Sequence, residues 1–269
     1  MVSKVKTIAF IGMRPIEITV EAQISPGIAS FTIVGLPDKT VGEAKERIRS
    51  TLFHMGLGFP SKKIVVNMAP ADIPKGGAHY DLPIALAILV VINVIESEDL
   101  ENTISIGELG LDGSLCYVSG GICAAMFANE MDKSLICPKS CEIEAAWSGN
   151  DSIIAVPNLI SLINHLKGSS QLICSGYVPE HSTEVNYSID MADVCGQPMA
   201  KRAIEIAATG GHNVLMIGAP GAGKSMLASR MRTILPVLSP TEALETTCIY
   251  SLAKMLPKFT PNKDVEEVA

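Results

Sequence analysis

At 269 residues, 48% hydrophobic and 18% charged, the chain has ample material for one large domain or two ordinary ones, which excludes a disordered class. A net charge of −7 excludes a protein that coats nucleic acid by global basicity. Seven cysteines with no Cys-x-x-Cys pair, and five histidines out of zinc-ligand spacing, argue against a disulfide framework or a structural zinc site and fit a reducing cytoplasm.

The start, MVSKVKTIAFIG, has too short an apolar run for a signal peptide. The most apolar segment, Leu82–Ile95, is fourteen residues long and interrupted by Pro83 and Asn93. A membrane-spanning helix needs about 20 residues, so a soluble cytoplasmic protein with no membrane partner is expected. Charge is uneven. Residues 1–75 carry 10 basic and 6 acidic side chains, residues 76–189 carry 3 and 14, and residues 190–269 carry 8 and 8. Lys39, Lys45, Arg47, Arg49, Lys62, Lys63 and Lys75 read either as a phosphate-backbone surface or as a solvated helix face plus a loop.

In chain order, Lys6–Gly12, Ile16–Ser25 and Ala29–Val34 read as strands, broken at Arg14-Pro15 and Pro26-Gly27. A helix is expected over Thr40–Met55, opened by a Thr40–Glu43 capping box, with Val41, Ala44, Ile48 and Leu52 on its apolar face. Lys63–Met68 is a buried strand. Asp81 is placed to cap a helix from Leu82 that is apolar nearly all round and therefore central. Ile104–Leu109 and Leu115–Val118 read as a hairpin around Asp112-Gly113. A helix at Gly121–Glu130 follows, then two strand–helix pairs: Leu135–Cys137 with Glu142–Trp147, and Ile153–Val156 with Leu159–Leu166. Periodicity then fades into Ser, Gly and Pro. Beyond it are expected a helix Pro198–Thr209, a strand Asn213–Ile217, a glycine loop, a helix Lys224–Ile234, and a helix Pro240–Met255 opened by a Ser239–Glu242 capping box.

The glycine loop GAPGAGKS, residues 218–225, satisfies G-x-x-x-x-G-K-[S/T] between a strand-like and a helix-like segment. Gly218, Gly221 and Gly223 let the backbone around Ala219, Pro220 and Ala222 turn its N–H groups toward a phosphate chain. Lys224 supplies a cation for the β- and γ-phosphates of ATP, and Ser225 a hydroxyl ligand for Mg²⁺. Hydrolysis needs a second acidic residue at a strand end. None of the 44 residues after Ser225 forms an apolar run ending in one, and Asp264, Glu266 and Glu267 lie in a polar tail.

FTIVGLPDKTVGEAKERIRS, NMAPADIPKGGAHYDLPIALAIL, GELGLDGSL, ADVCGQPMAKRAIEIAATGGHNVLMIGAPGAGKSMLASR and LPVLSPTEALETTCIYS together resemble the magnesium-chelatase-like AAA+ family of ComM/YifB type, over residues 4–252. The resemblance implies an α/β protein. Residues 1–167 would form an α+β domain of the ribosomal-protein-S5-domain-2-like, Lon-protease-like type. Residues 168–189 would be a linker, and residues 190–269 the start of a P-loop AAA+ domain that stops before the second acidic motif. It also implies ATP and Mg²⁺ as cofactors, a homo-hexamer at full length, and ATP-driven branch migration on DNA during natural transformation. In Lon-type peptidases the turn Pro-Lys-Asp-Gly-Pro-Ser carries the nucleophile. Pro74, Lys75 and Gly77 match it here, with His79 at the serine position and Cys123 at the partner lysine position. Both members of the dyad are replaced, so no catalytic peptidase residue is expected. A reversed pair of Cys123 with His79, a non-catalytic nucleotide- or partner-binding scaffold, and metal insertion into a porphyrin are the alternative readings.

Overall fold

The computed structural model describes residues 2–172 and 188–256. Most of the linker expected at 168–189, along with Cys174, Asp264, Glu266 and Glu267, lies outside the described residues. The chain divides into two units. One comprises the described residues up to 172 together with Leu244 onward, and the other runs from 188 to Ala243.

The first unit is built on a four-stranded sheet. Strand β1 (Val2–Ile11) pairs antiparallel with β2 (Arg14–Ser25). After β3 (Ser30–Val34) the chain enters helix α1 (Lys39–His54) and then β4 (Lys63–Ala69). Strand β4 inserts between β2 and β3, antiparallel to the first and parallel to the second, giving the order β1-β2-β4-β3. Alternation in β2 sends Ile18, Val20 and Ala22 inward and leaves Glu17, Thr19 and Glu21 on the other face. Across the sheet, Val20 pairs with Val5 on one side and Met68 on the other.

Helix α2 (Asp81–Val91) covers this sheet, buried from Asp81 through Val90 as its uniformly apolar sequence requires. Its cap is not the expected one. Asp81 is the first helical residue, and its carboxylate binds the Arg47 guanidinium of α1 in bidentate fashion and accepts from the Leu109 N–H. Helix α1 likewise starts earlier than the Thr40–Glu43 box implies. Asp38, extended at ψ −178°, accepts from Val41 N–H at 2.8 Å, and Glu43 faces Lys39 instead.

The expected hairpin divides at Gly107. Strand β5 (Thr103–Ser105) leaves to join a parallel three-stranded sheet, while β6 (Glu108–Leu109) pairs with β7 (Leu115–Cys116). Gly107 accepts from Leu82 N–H and donates to the His79 carbonyl, and a Cβ there would meet Leu115 and Leu82 at 3.0–3.2 Å. Helix α3 (Gly121–Glu130) leads to β8 (Ser134–Pro138), α4 (Glu142–Ala146), β9 (Ile153–Val156) and α5 (Leu159–Leu166). The second sheet has the order β5-β8-β9, all parallel. Asn158 caps α5 by accepting from Ser161 N–H.

In the second unit, α6 (Pro198–Gly210) ends at Gly211 in the left-handed conformation. The expected strand Asn213–Ile217 does not form. The segment has no regular secondary structure, and no strand among the described residues pairs with it. Helix α7 (Lys224–Met231) gives way to a 3-10 turn at Arg232–Ile234. Helix α8 (Pro240–Leu252) opens on the expected box, where Glu242 accepts from the Ser239 N–H and hydroxyl. It closes three residues before Met255, with Lys254 at φ +59°. Among the described residues no helix is long and apolar enough to cross a membrane.

Candidate functional site

The glycine loop stands in the second unit with both ends anchored. Met216 before it and Leu227 after it pack in a small apolar cluster with Val194 and Ile204. Gly221 and Gly223 take φ of +79° and +83°, a region where an L side chain is strained. Gly223 is the N-cap of α7 and carries no side chain to cap it, and among the described residues no other side chain is seen to accept a hydrogen bond from the first-turn N–H groups. The helix therefore presents its opening N–H groups toward the loop. Lys224 Nζ donates to the carbonyls of Gly218 and Ala219, both at 2.8 Å, so its ammonium group lies across the loop. Ser225 follows on the same first turn, and its side chain is exposed.

Sequence reasoning missed one support of this unit. Arg230, one turn past Leu227, donates to the Asp190 carbonyl at 3.0 Å and lies 3.7 Å from Asp193, which itself forms a reciprocal capping box with Asp190. The forty-residue separation leaves no local pattern to read.

The Pro-Lys-Gly-Gly turn lies in the first unit, and the side chains of Lys75 and His79 bond backbone carbonyls. Lys75 is fully buried and donates to the Pro70 carbonyl, and burial pulls its pKa down. His79 Nε2 lies 3.0 Å from the Ile8 carbonyl, which fixes the proton on that nitrogen. Burial lowers the His79 pKa to about 4, so the ring is neutral at pH 7. Its ring stacks at 4.0 Å on Tyr80 and lies 5.9 Å from Phe10.

Cys123 faces elsewhere. Its thiol points to the Cys248 carbonyl at 3.9 Å, and Phe10 packs against the cluster it shares with Ile122 and Cys248. Contact with Cys248 and burial push the Cys123 pKa upward. The two candidate residues therefore have separate partners and opposite tendencies, and no hydrogen bond joins them. A cavity of about 380 Å³ does open beside His79, walled by Phe10, Gly77, Glu108, Tyr117 and Ser119.

A carboxylate that sequence reasoning missed organises this region. Glu144, buried on α4, accepts from Ile122 N–H at the start of α3, from the Tyr117 hydroxyl at 3.0 Å, and from the Ser251 hydroxyl of α8. Ser251 in turn accepts from Gly120 N–H at 2.8 Å. Of the basic side chains that read either as a phosphate-backbone surface or as a solvated face, Arg47 is committed to Asp81 and Lys75 is buried. Lys62 and Lys63 remain exposed, and Arg49 lies 5.2 Å over the Phe59 ring.

The model of the family described as subunit ChlI of Mg-chelatase matches residues 20–141, and a second, described as magnesium chelatase, subunit ChlI, matches residues 190–265. The chain belongs to the magnesium-chelatase-like family. Within that family it is 41% identical over 252 residues to the uncharacterized protein YifB of Escherichia coli, covering 93% of this chain and 49% of that one. It is 39% identical over 250 residues to the competence protein ComM of Haemophilus influenzae, covering 91% and 49%. An uncharacterized protein of Mycobacterium tuberculosis is 36% identical over 246 residues, covering 91% and 48%. The chain spans about half the length of the curated relatives it matches. The glycine loop and the Glu144 and His79 regions all fall inside the aligned family segments or, for Glu144, three residues beyond the first.

Proposed function

We propose that this family member binds ATP with Mg²⁺ through Gly218–Ser225, and that the bound nucleotide drives DNA remodelling in a protein of the relatives' length. The observation that carries the nucleotide reading is the uncapped start of α7 behind two left-handed glycines, with Lys224 laid across the loop. Such a helix end is an anion site: its N–H groups and dipole face the same point. A phosphate chain entering there would draw the Lys224 ammonium from the Gly218 and Ala219 carbonyls onto phosphate oxygens. Ser225, exposed on the first turn, would hold Mg²⁺, which neutralises phosphate charge when bound.

The resemblance of the sequence supports a hexameric AAA+ ring acting on DNA, and the Haemophilus relative, a competence protein, supports competence as the setting. For the first unit we propose a peptidase-like shell without peptidase chemistry. The separate partners of His79 and Cys123 support that reading over a Cys–His pair.

Calorimetric titration of the full chain with ATP and Mg²⁺ tests the nucleotide reading. Lys224→Ala is expected to weaken binding about 10- to 100-fold, the worth of a charge-assisted hydrogen bond to phosphate. Equal affinity in the variant and the parent would overturn it.

A further inference from the structure

Cys123 and Cys248 are 125 residues apart in sequence and meet inside the first unit. Cys123 stands on the buried face of α3, and Cys248 on the half of α8 that belongs to this unit. The Cys123 thiol points to the Cys248 carbonyl at 3.9 Å, and the two residues share one buried apolar cluster with Ile122. Cys248 Sγ lies 3.6 Å from Met126 Sδ. Neither cysteine is in a disulfide. Both line a cavity of about 400 Å³ together with Met126, Glu130 and Glu245, so a small molecule has a route to the pair although each residue is otherwise buried.

Four other described cysteines lack this arrangement. Cys116 and Cys195 are exposed, and Cys137 and Cys141 are buried. Cys141 donates to the Val118 carbonyl at 3.4 Å, and burial pushes its thiol up to about 12.

We propose that Cys123 and Cys248 form an oxidisable dithiol, a modification site whose reactant is a small hydroperoxide and whose product is a disulfide tying α8 to α3. The Cys248 thiolate attacks one peroxide oxygen. The O–O bond breaks, the other oxygen leaves as water or an alcohol after taking up a proton, and Cys248 becomes a sulfenic acid. The Cys123 sulfur then attacks the sulfenic sulfur. The S–S bond forms, the S–O bond breaks, and the hydroxyl leaves as water with the Cys123 proton. Two electrons pass from the dithiol to the peroxide, and a thiol reductant reverses the product. The roles follow from placement: the Cys123 thiol is engaged with the Cys248 carbonyl, whereas Cys248 lines the cavity, and the neighbouring Cys123 side chain draws the Cys248 pKa down.

The 269-residue chain, in its native state, is treated with hydrogen peroxide, its remaining thiols are alkylated in denaturant, and the digest is read by mass spectrometry. The expected product is a linked peptide pair through Cys123 and Cys248, short of one pair of hydrogens and released by dithiothreitol. Cys123→Ser and Cys248→Ser each lose it, and Cys116→Ser keeps it. Recovery of Cys123 and Cys248 both alkylated, while Cys116 or Cys195 is oxidised, would overturn the proposal. So would links scattered among all the cysteines without preference for this pair.

Discussion

His79 sits 8% exposed, with its Nε2 proton committed to the Ile8 carbonyl and its ring held between Tyr80 and Phe10. Protonation would put a charge where the protein has removed most of its water, and this is why its pKa falls from 6.5 to about 4. The folded state therefore binds a proton less readily than the unfolded chain. The stability contributed by neutral His79 is fully present above pH 6.5 and is lost as pH falls toward 4, by up to about 3 kcal/mol. Urea midpoints at pH 7 and pH 4.5 should show a steeper acid loss for the parent than for His79→Gln, which has no proton to gain. Parallel losses would mean that His79 is solvated and free to titrate. Lys75, buried two residues before Gly77 with its ammonium on Pro70, serves the same turn. The side chains at this turn are both bonded to backbone carbonyls, Lys75 to Pro70 and His79 to Ile8.

The Arg47–Asp81 pair joins α1 to α2 and is the clearest link between elements. Asp81 is fully buried, and its desolvation outweighs the guanidinium, so its pKa is raised above the usual carboxylate value even with Arg47 beside it. Removing the partner leaves a buried carboxylate alone. Arg47→Ala is expected to cost about 3–5 kcal/mol at pH 7. A raised pKa means that the folded state takes up the proton first as pH falls, so the cost shrinks on acidification. Guanidinium titrations of the variant at pH 7 and pH 5 check this, and a cost independent of pH would count against a charged Asp81. The same pair shows where sequence reasoning stops. Asp81 looks like a helix cap because capping is a local pattern, and its true partner lies thirty-four residues upstream. Elements whose signals are local, such as Gly121–Glu130 and Leu159–Leu166, have the bounds that the sequence indicates. The hairpin expected across Ile104–Val118 was divided by a tertiary contact at Gly107 that no window of sequence contains. The glycine loop was legible because its working residues are contiguous. Glu144 and Cys248 were not, because their partners come from distant helices.

The molecule is unevenly consolidated, and the unevenness has a physical source. Strand β2 is paired on both sides, and α2 seals the sheet with side chains removed from water. In the second unit, Leu215 and Ile217 are 84% and 88% exposed in an irregular segment that no strand pairs with among the described residues. Backbone amides without ladder partners exchange with solvent freely, whereas those of a buried sheet exchange only through large-scale opening. Native-state hydrogen exchange is expected to find Ile18–Ala22 and Ile84–Val90 slowest, and residues 213–217 near the rate of an unfolded chain. Mg²⁺-ATP should then slow the amides of residues 221–226, because phosphate oxygens would accept from the uncapped first turn of α7. That protection separates two sources of order. Nucleotide contacts act on the loop and the helix start, whereas pairing of residues 213–217 requires a neighbouring strand. Slowing of 221–226 with residues 213–217 unchanged would locate the ligand at the helix end. Slowing of both would mean that the nucleotide brings a strand partner to the segment. No change in either would leave the loop without its proposed ligand.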